Sequence, residues 1–416
     1  MPETHFHVLV YYYGTSSMTG TRRWREMSAL LLPSGKVTVY CADGAGNLSP
    51  AGVGVVHVPD GDVGQQTRIF AGRAKGPKWV QYLRKVASSC LFWPDRQAAW
   101  ARKAVARMGE GIQARERHVV VTCGPIFSVH YEMRKWVNSH PGKVLWVMDF
   151  RDLWSNEIAP GAQRRTPKFL EWFERRMEQK CHDAADMVTV IGEGLAKLEK
   201  RDFGSSPIVL YNGYLAVNPP VRPEYLFKDG DPKRIRYLGT IIPGLRSPAL
   251  LFEAASKLGL GEDKLLFEFW CNDHSLVMAE AGQHGVGKLV RCHNGVSSDE
   301  AWNLSCTADA NLILNGLGQD ANQVVTGKVF ELMQSGRPAI PITGKESELR
   351  QIAANCGTRH IVWDLDTACQ ALEALIAGRL STLEDSEGLY SWENTVTKFL
   401  ETTDASHWPA SKTHCP

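Results

Sequence analysis

The chain has little that would place it in a membrane or in a disulfide-rich scaffold. No window of its 416 residues approaches the ~20 consecutive apolar residues that a membrane-spanning helix needs. Its ten cysteines include no Cys-x-x-Cys pair and no Cys/His cluster at zinc spacing, which fits reduced thiols. The first residues lack a basic segment followed by an apolar stretch, so no secretory signal is expected. These features favour a cytoplasmic protein.

What is present is the composition of an ordinary globular protein. Hydrophobic residues make up 44% of the chain and charged residues 22%, which argues against a disordered protein. At roughly 100–200 residues per domain, the length predicts two or three domains.

Charge is distributed unevenly, although the formal net charge is only +2. Residues 1–130 hold 16 Lys/Arg and 8 Asp/Glu, and residues 64–107 hold ten basic residues against the single acid Asp95. Aromatic residues are interleaved with these cations. Such a stretch indicates an anionic partner: a membrane surface, a phosphorylated substrate or nucleic acid. A solvated helix pair with its aromatic residues in the core is the alternative interpretation.

Strand and helix patterns alternate along the chain, which predicts an α/β protein with parallel sheets. The pattern predicts two tandem Rossmann-like domains that face each other across a cleft. The predicted order is an N-terminal domain over 1–216, a proline-rich linker over 217–234, a C-terminal domain over 235–388, a helix over 389–403 that packs back toward the first domain, and a tail over 404–416. Ligands of such proteins bind at the carboxyl ends of the strands.

Two glycine-rich motifs resemble nucleotide-binding loops only in part. Gly282-x-x-x-x-Gly287-Lys288 is followed by Leu289, so it lacks the hydroxyl that would bind Mg²⁺, and a helix is predicted before it. Gly44-Ala-Gly46 lacks the third glycine of a dinucleotide fingerprint, and Pro50 follows instead of a helix. The 13 histidines form no metal-like spacing, so no metal is expected.

The stretch Thr326-Gly-Lys-Val-Phe-Glu-Leu-Met-Gln-Ser-Gly-Arg-Pro338 carries a more specific signal. Gly327 allows a turn before a helix, and backbone N–H groups there, together with Lys328, can face a phosphate. Glu331 lies one turn later and can accept both hydroxyls of a ribose. The alternative is a capped surface helix with Lys328 and Glu331 as a weak i,i+3 pair.

Asp149, Arg151 and Asp152 come at the end of the predicted strand over 143–150. Charges at the carboxyl end of a parallel strand lie where α/β proteins place their sites. Arg151 could bind a phosphate or orient an aspartate, and one aspartate could contact an acceptor hydroxyl. The alternative is an internal salt bridge that fixes the loop, with Trp154 packed underneath.

Several stretches together resemble glycosyltransferase family 4, in the subgroup that makes bacterial polysaccharides. The family has the two-domain GT-B fold. The resemblance covers about residues 6–400 and depends on the order of motifs rather than on any single one. Those motifs are the 326–338 stretch, Asp149-Phe-Arg-Asp-Leu-Trp154, Leu210-Tyr-Asn-Gly-Tyr214 and Tyr237-Leu-Gly-Thr-Ile-Ile-Pro-Gly-Leu-Arg-Ser-Pro248.

The resemblance implies roles for individual residues. Glu331, with Thr326 and Gly327, would bind the nucleotide, and Lys328 and Arg246 would neutralise its diphosphate in place of a metal. Gly20 would let backbone amides approach the donor. The set Asp149, Arg151 and Asp152 would lie near the reacting centre. The family pattern has a second glutamate eight residues before Glu331, and here that residue is Gln323.

The resemblance implies a retaining, metal-independent glycosyltransferase with no cofactor. It would move a sugar from a UDP- or GDP-type donor to a saccharide or lipid-linked saccharide. Lipid-linked acceptors favour an anionic membrane as the partner of residues 64–107 and a peripheral location, and nucleic acid is not expected. The alternatives are a nucleotide-sugar epimerase on the same scaffold and a catalytically inactive scaffold protein, which Gln323 favours.

Overall fold

A computed structural model describes residues 3–14, 21–42, 49–60, 93–155, 168–217, 220–225, 230–318 and 325–405; for Lys168 and Phe169 it describes the backbone only. Within these ranges the chain forms two parallel β-sheets, each flanked by helices.

The first sheet has seven strands in the order β3-β2-β1-β4-β5-β6-β7, and every described pairing is parallel. Because both faces are covered by helices, its central strands are buried at almost every position rather than at alternate ones. The strands are β1 Thr4–Leu9, β2 Lys36–Ala42, β3 Gly54–Val58, β4 Arg117–Cys123, β5 Leu145–Phe150, β6 Met187–Val190 and β7 Ile208–Val209.

Five described helices accompany this sheet: α1 Arg22–Leu31, α2 Ala98–Glu110, α3 Ser128–Ser139, α4 Lys168–His182 and α5 Glu193–Phe203. One apolar core lies between the sheet and α2–α4 and includes Trp100 and Trp146. The other core lies between the sheet and α1.

The second sheet has five strands in the order β10-β9-β8-β11-β12, again parallel in every described pairing. Its strands are β8 Lys233–Leu238, β9 Leu265–Trp270, β10 Val290–His293, β11 Ala310–Leu314 and β12 Ala339–Ile342. Its helices are α6 Ala249–Lys257, α7 His274–Gln283, α8 Ser298–Cys306, α9 Lys328–Met333, α10 Glu348–Asn355 and α11 Leu365–Ile376.

The last described helix, α12 Trp392–Ala405, returns to the first sheet. Its residues Trp392, Val396 and Phe399 are buried in the core beside α1, and the rings of Trp24 and Phe399 have centroids 6.1 Å apart. The chain therefore crosses between the two sheets twice.

The α/β class with two Rossmann-like sheets is confirmed, and most predicted elements are found within a few residues of their expected bounds. Some details differ. The sequence pattern did not predict β3. The apolar run over 6–13 predicts a strand as far as Tyr13, but β1 ends at Leu9, and the run over 360–363 predicts a strand where the structure has a single bridge between Ile342 and Val362. No helix in the described part of the chain is long and apolar enough to cross a bilayer.

Candidate functional site

The order of the strands places a crevice in each sheet. The order reverses between β1 and β4 in the first sheet and between β8 and β11 in the second. In open parallel sheets, ligands bind outside the carboxyl ends of the strands at such reversal points. The residues after β8 and β11, which include Arg246 and Lys328, and those after β1 and β5 therefore form the candidate site.

Lys328 and Arg246 both lie beside the Tyr237 side chain. The Lys328 Nζ is 5.1 Å from the centroid of the Tyr237 ring. The Tyr237 hydroxyl donates to the Thr240 carbonyl at 2.9 Å, and the Arg246 side chain lies next to that hydroxyl. Neither cation has a carboxylate within 4 Å among the residues that the structure describes. Two neighbouring, half-buried cations with no carboxylate in ion-pair distance are suited to bind an anion.

Burial lowers the pKa of Lys328 to about 8; the Glu331 charge opposes the shift and the Arg246 charge adds to it. Gly239 makes room for this lysine, because a Cβ there would lie 2.6 Å from the Lys328 Nζ. Its φ of +154° also favours glycine.

Glu331 points toward the first sheet and not toward Lys328. Its Oε1 is 3.7 Å from Nη1 of Arg22 at the start of α1, and its side chain is 35% exposed. The i,i+3 pair between Lys328 and Glu331, which the sequence left open, is absent from the described ion pairs. Gly327, at the start of α9, lies near Asn212 of the first sheet, whose Nδ2 would be 3.7 Å from a Cβ on that glycine. Thr326 precedes it, half-buried.

Asp149 is fully buried at the end of β5 and forms an internal ion pair. Arg23 donates to both carboxylate oxygens at 3.0 and 2.9 Å, and Trp24 and Thr189 each donate at 2.8 Å. Burial alone would raise the pKa of Asp149, but the Arg23 charge and these hydrogen bonds hold it below its ordinary value.

Arg23 also connects the end of β5 to the segment that leads toward the second sheet. Its Nη1 donates to the carbonyls of Leu210 and Tyr211 at 2.9 and 3.2 Å and to Asn212 Oδ1 at 3.3 Å. The internal salt bridge considered in the sequence analysis therefore exists, with Arg23 as the partner of Asp149. Trp154 packs beneath the loop, with its ring stacked on Phe127 at 5.2 Å.

Arg151 and Asp152 occupy the edge of the loop after β5. Arg151 Nη2 lies 3.8 Å from Asp152 Oδ2, and the Asp152 side chain is 53% exposed. Of the three predicted residues here, Asp152 is the most exposed, whereas Asp149 is fully buried among its hydrogen-bond partners.

Glu348 joins the two sheets and was not singled out from the sequence. Its carboxylate accepts from the backbone N–H groups of Glu193 and Gly194 at 2.7 and 3.0 Å and from the Tyr211 hydroxyl at 2.6 Å. A carboxylate from the second sheet thus caps the positive N-terminus of α5 in the first.

Buried histidine and acid clusters are the other features that spacing did not reveal. His5 and His7 of β1 meet His118 of β4, because the strands pair with His5 opposite His118. Glu178, His182 and Glu199 form a second cluster between α4 and α5.

Gly20, Gln323 and most of the basic stretch over 64–107 lie outside the described residues.

Comparison with protein-family models and with curated proteins returns no match for this chain. Solved structures do resemble it along nearly the whole chain. Sucrose-phosphate synthase from Thermosynechococcus elongatus gives a TM-score of 0.58 at 11% identity, over 96% of this chain and 98% of that one. The lipopolysaccharide outer core galactosyltransferase WaaB in its apo form gives 0.54 at 12% identity, over 96% and 99%.

A putative UDP-N-acetylglucosamine 2-epimerase from Listeria monocytogenes gives a TM-score of 0.51 at 10% identity, over 96% of this chain and 95% of that one. At such identities the similarity establishes the fold alone. The chain has the GT-B fold, as its two parallel sheets and the return of α12 to the first sheet also indicate.

Proposed function

We propose that this protein is a retaining, metal-independent glycosyltransferase of the family 4 type. It would transfer a sugar from a UDP- or GDP-type donor to a saccharide or lipid-linked saccharide acceptor in polysaccharide synthesis. The observation that carries the proposal is the pair Lys328 and Arg246. Both lie beside Tyr237 at the reversal point of the second sheet, and neither has a carboxylate within 4 Å among the described residues.

The cation pair would stabilise the diphosphate as it leaves. Negative charge develops on the leaving phosphate in the transition state, and cations that are already in place stabilise that charge without a metal or a proton transfer. Glu331, on the same face of the cleft, would bind the ribose hydroxyls, and Thr326 and Gly327 would shape the turn beside it. Gly20 would approach the donor from the first domain.

On the acceptor side, Arg151 and Asp152 are the residues that a ligand could reach. Asp149 would be a positioning residue, because its Arg23 pair fixes the end of β5 and the segment over 210–212. The acceptor hydroxyl would attack from the face that the diphosphate leaves, which preserves the anomeric configuration.

A peripheral membrane location is part of the proposal. The described residues support it on α4, where Trp172 and Phe173 are 61% and 53% exposed beside the exposed Arg176. Large exposed aromatic residues next to cations are suited to the interface of an anionic bilayer. Residues 64–107, with ten basic residues against one acid, are proposed as a second contact with the same bilayer.

A nucleotide-sugar epimerase is the second candidate, because the same fold occurs in the Listeria protein and an epimerase would use the same nucleotide pocket without an acceptor. An inactive scaffold protein would bind the nucleotide or nothing.

The deciding experiment incubates the purified protein with a panel of UDP- and GDP-sugars, with and without saccharide acceptors, and identifies products by mass spectrometry and NMR. A glycosyltransferase forms a glycoside of retained anomeric configuration only when an acceptor is present. Its activity should be unaffected by brief exposure to excess chelator and should not be stimulated by Mg²⁺ or Mn²⁺. A changed sugar nucleotide without acceptor identifies an epimerase, and no product with any donor favours the scaffold.

Lys328→Ala should abolish turnover, whereas Lys345→Ala, at an exposed lysine of the same domain, should not. Full activity of Lys328→Ala would contradict the proposed diphosphate site.

A further inference from the structure

Four buried polar atoms of one cluster lack a hydrogen-bond partner among the described residues. They are Glu178 Oε1, both ring nitrogens of His182, and Glu199 Oε2. Glu178 and Glu199 are each 1% exposed, and His182 is 8% exposed. Buried polar groups are nearly always paired, so a set of unpaired atoms at one place indicates a bound water or ion.

The geometry of the cluster suits a single cation. One ligand atom from each of the three residues can be chosen so that all lie within 4.8 Å of one another. His182 Nε2 is 3.0 Å from Glu199 Oε2, yet the two do not meet hydrogen-bond geometry. Ligands 2.0–2.2 Å from a zinc ion are separated by roughly 3–4 Å.

The ring of His182 is held in place from both sides. Phe150 stacks on it at 5.5 Å and Phe203 at 4.6 Å, each with the ring planes inclined by 8°. Glu178 and His182 are one turn apart on α4, and a ligand atom of each lies within 4.8 Å of one on Glu199 of α5. The ligand set is therefore fixed before any ion binds.

Electrostatics also requires a positive charge or a proton here. Two buried carboxylates at one site repel each other unless something neutralises them. Burial, together with the charge of Glu199, raises the pKa of Glu178 well above its ordinary value. A proton on Glu178 is the alternative to a cation.

The three-histidine cluster is the weaker candidate, because five of its six ring nitrogens lie within hydrogen-bond distance of another group and only His5 Nδ1 lacks a hydrogen-bond partner among the described residues. His7 Nε2 and His118 Nδ1 are 3.0 Å apart, and His7 Nδ1 is 3.2 Å from the Tyr40 hydroxyl. His118 Nε2 is 2.9 Å from the Gln113 carbonyl. Binding a metal there would break these hydrogen bonds.

We propose that Glu178, His182 and Glu199 bind one divalent transition-metal ion, with Zn²⁺ as the best fit to one imidazole and two carboxylates. The ion would be structural. Glu178 Oε2 accepts from the backbone N–H of Ser155 at 3.1 Å, so the site would fasten the loop that carries Arg151 and Asp152 to α4 and α5. The site is separate from Lys328 and Arg246 and does not depend on the proposed function.

The test uses untagged full-length protein. Elemental analysis of the purified protein should give about one equivalent of zinc. Removal of the ion by prolonged chelation should lower Tm, and Zn²⁺ should restore it by at least about 3 °C, while Mg²⁺ should not. Co²⁺ in place of Zn²⁺ should give the visible absorption of a low-coordinate site.

His182→Gln and Glu199→Gln should each lose the zinc and the Co²⁺ absorption. His118→Gln is the matched control, because it removes a buried histidine from the other cluster. If the wild-type protein contains no metal and its Tm does not change when Zn²⁺ is added, the proposal is overturned and Glu178 is protonated instead. Loss of metal in His118→Gln but not in His182→Gln would place the ion at the histidine cluster and would overturn it equally.

Discussion

Arg22 and Glu331 face each other across the cleft, with Arg22 Nη1 3.7 Å from Glu331 Oε1. Arg22 is the first residue of α1 in the first domain, and Glu331 lies one turn into α9, the helix after β11. Arg22 Nε also lies 3.6 Å from Glu26, so the arginine has acids on both sides. A ligand that binds Glu331 must enter beside this arginine, and the ion pair therefore marks where the two domains approach each other around the site.

Glu331→Ala should weaken nucleoside-diphosphate binding by about 1–3 kcal/mol, the cost of losing hydrogen bonds between a carboxylate and ribose hydroxyls. Calorimetric titration with UDP and GDP measures the change. Glu373→Ala, at an exposed glutamate on α11, is the control and should bind normally.

The Arg22 pair provides a second, independent readout for Glu331. If the glutamate acts on ligand directly, Glu331→Ala should weaken binding by the same factor when Arg22 is already alanine. If it acts only by holding the domains together, Arg22→Ala alone should reproduce the loss and Glu331→Ala should add nothing to it. Unchanged affinity in folded Glu331→Ala would remove the residue from the site.

Lys328 should make nucleotide binding depend on pH above neutrality. With the pKa near 8 in the free protein, the charged form falls from about nine tenths at pH 7 to about one tenth at pH 9. Because only the ammonium form pairs with a diphosphate, affinity should fall about tenfold over this interval. Lys328→Arg should bind with no such fall, since a guanidinium stays charged. An equal fall in both proteins would assign the pH dependence to another group.

The sequence was sufficient for the α/β architecture with two Rossmann-like sheets. Continuous apolar runs marked β1, β4 and β5, and the turn before Lys328 placed that lysine at a helix start near the cleft. β3 was missed because its five residues are partly exposed at the sheet edge, so their periodicity is weak. Predicted local patterns were most reliable where a strand is buried on both faces.

Contacts between distant segments could not be read from spacing. Asp149 and Arg23 are 126 residues apart, and His7 and His118 are 111 apart. The sequence placed Asp149 at a strand end correctly but gave no sign that an arginine in α1 would bury it. The histidines became neighbours only because β1 pairs with β4, an order that follows from the whole sheet rather than from any local motif.

The histidine cluster should make the fold sensitive to mild acid. Burial lowers the pKa of His5 to about 4, with Lys36 and His118 adding to the shift and Glu116 opposing it. Burial, together with His5, His118 and Lys36, lowers the pKa of His7 to about 2. In the unfolded chain both titrate near 6.5, so below that pH the unfolded state binds more protons.

Stability should therefore be complete above pH 6.5 and fall with pH toward 4. The loss between pH 7 and pH 5 should be on the order of 2–4 kcal/mol, measured by urea unfolding. His7→Gln should reduce this pH dependence, whereas His140→Gln, at an exposed histidine, should leave it unchanged. Equal unfolding free energies at pH 7 and pH 5 would contradict the prediction.

The exposed aromatic pair on α4 should bind anionic membranes. The Trp172 and Phe173 rings pack edge to face with their centroids 4.8 Å apart. The guanidinium of Arg176 lies 5.6 Å from the centroid of the Trp172 ring. On the same helix Glu174 is buried and Glu171 is half-buried, so the exposed side chains around Trp172 are aromatic or basic. Each surface cation contributes about 1 kcal/mol toward an anionic leaflet at low salt.

Sedimentation with phosphatidylserine-containing vesicles should therefore be strong at low salt and should weaken as salt rises. The double variant Trp172→Ser/Phe173→Ser should sediment several-fold less, while still binding UDP or GDP as the parent does, because Lys328 and Glu331 are in the other domain. Leu276→Ser/Met278→Ser is the matched control: it removes two exposed apolar side chains from α7 of the second domain. Binding that is equal on neutral phosphatidylcholine vesicles, or that survives the α4 changes, would show that this surface does not meet an anionic bilayer.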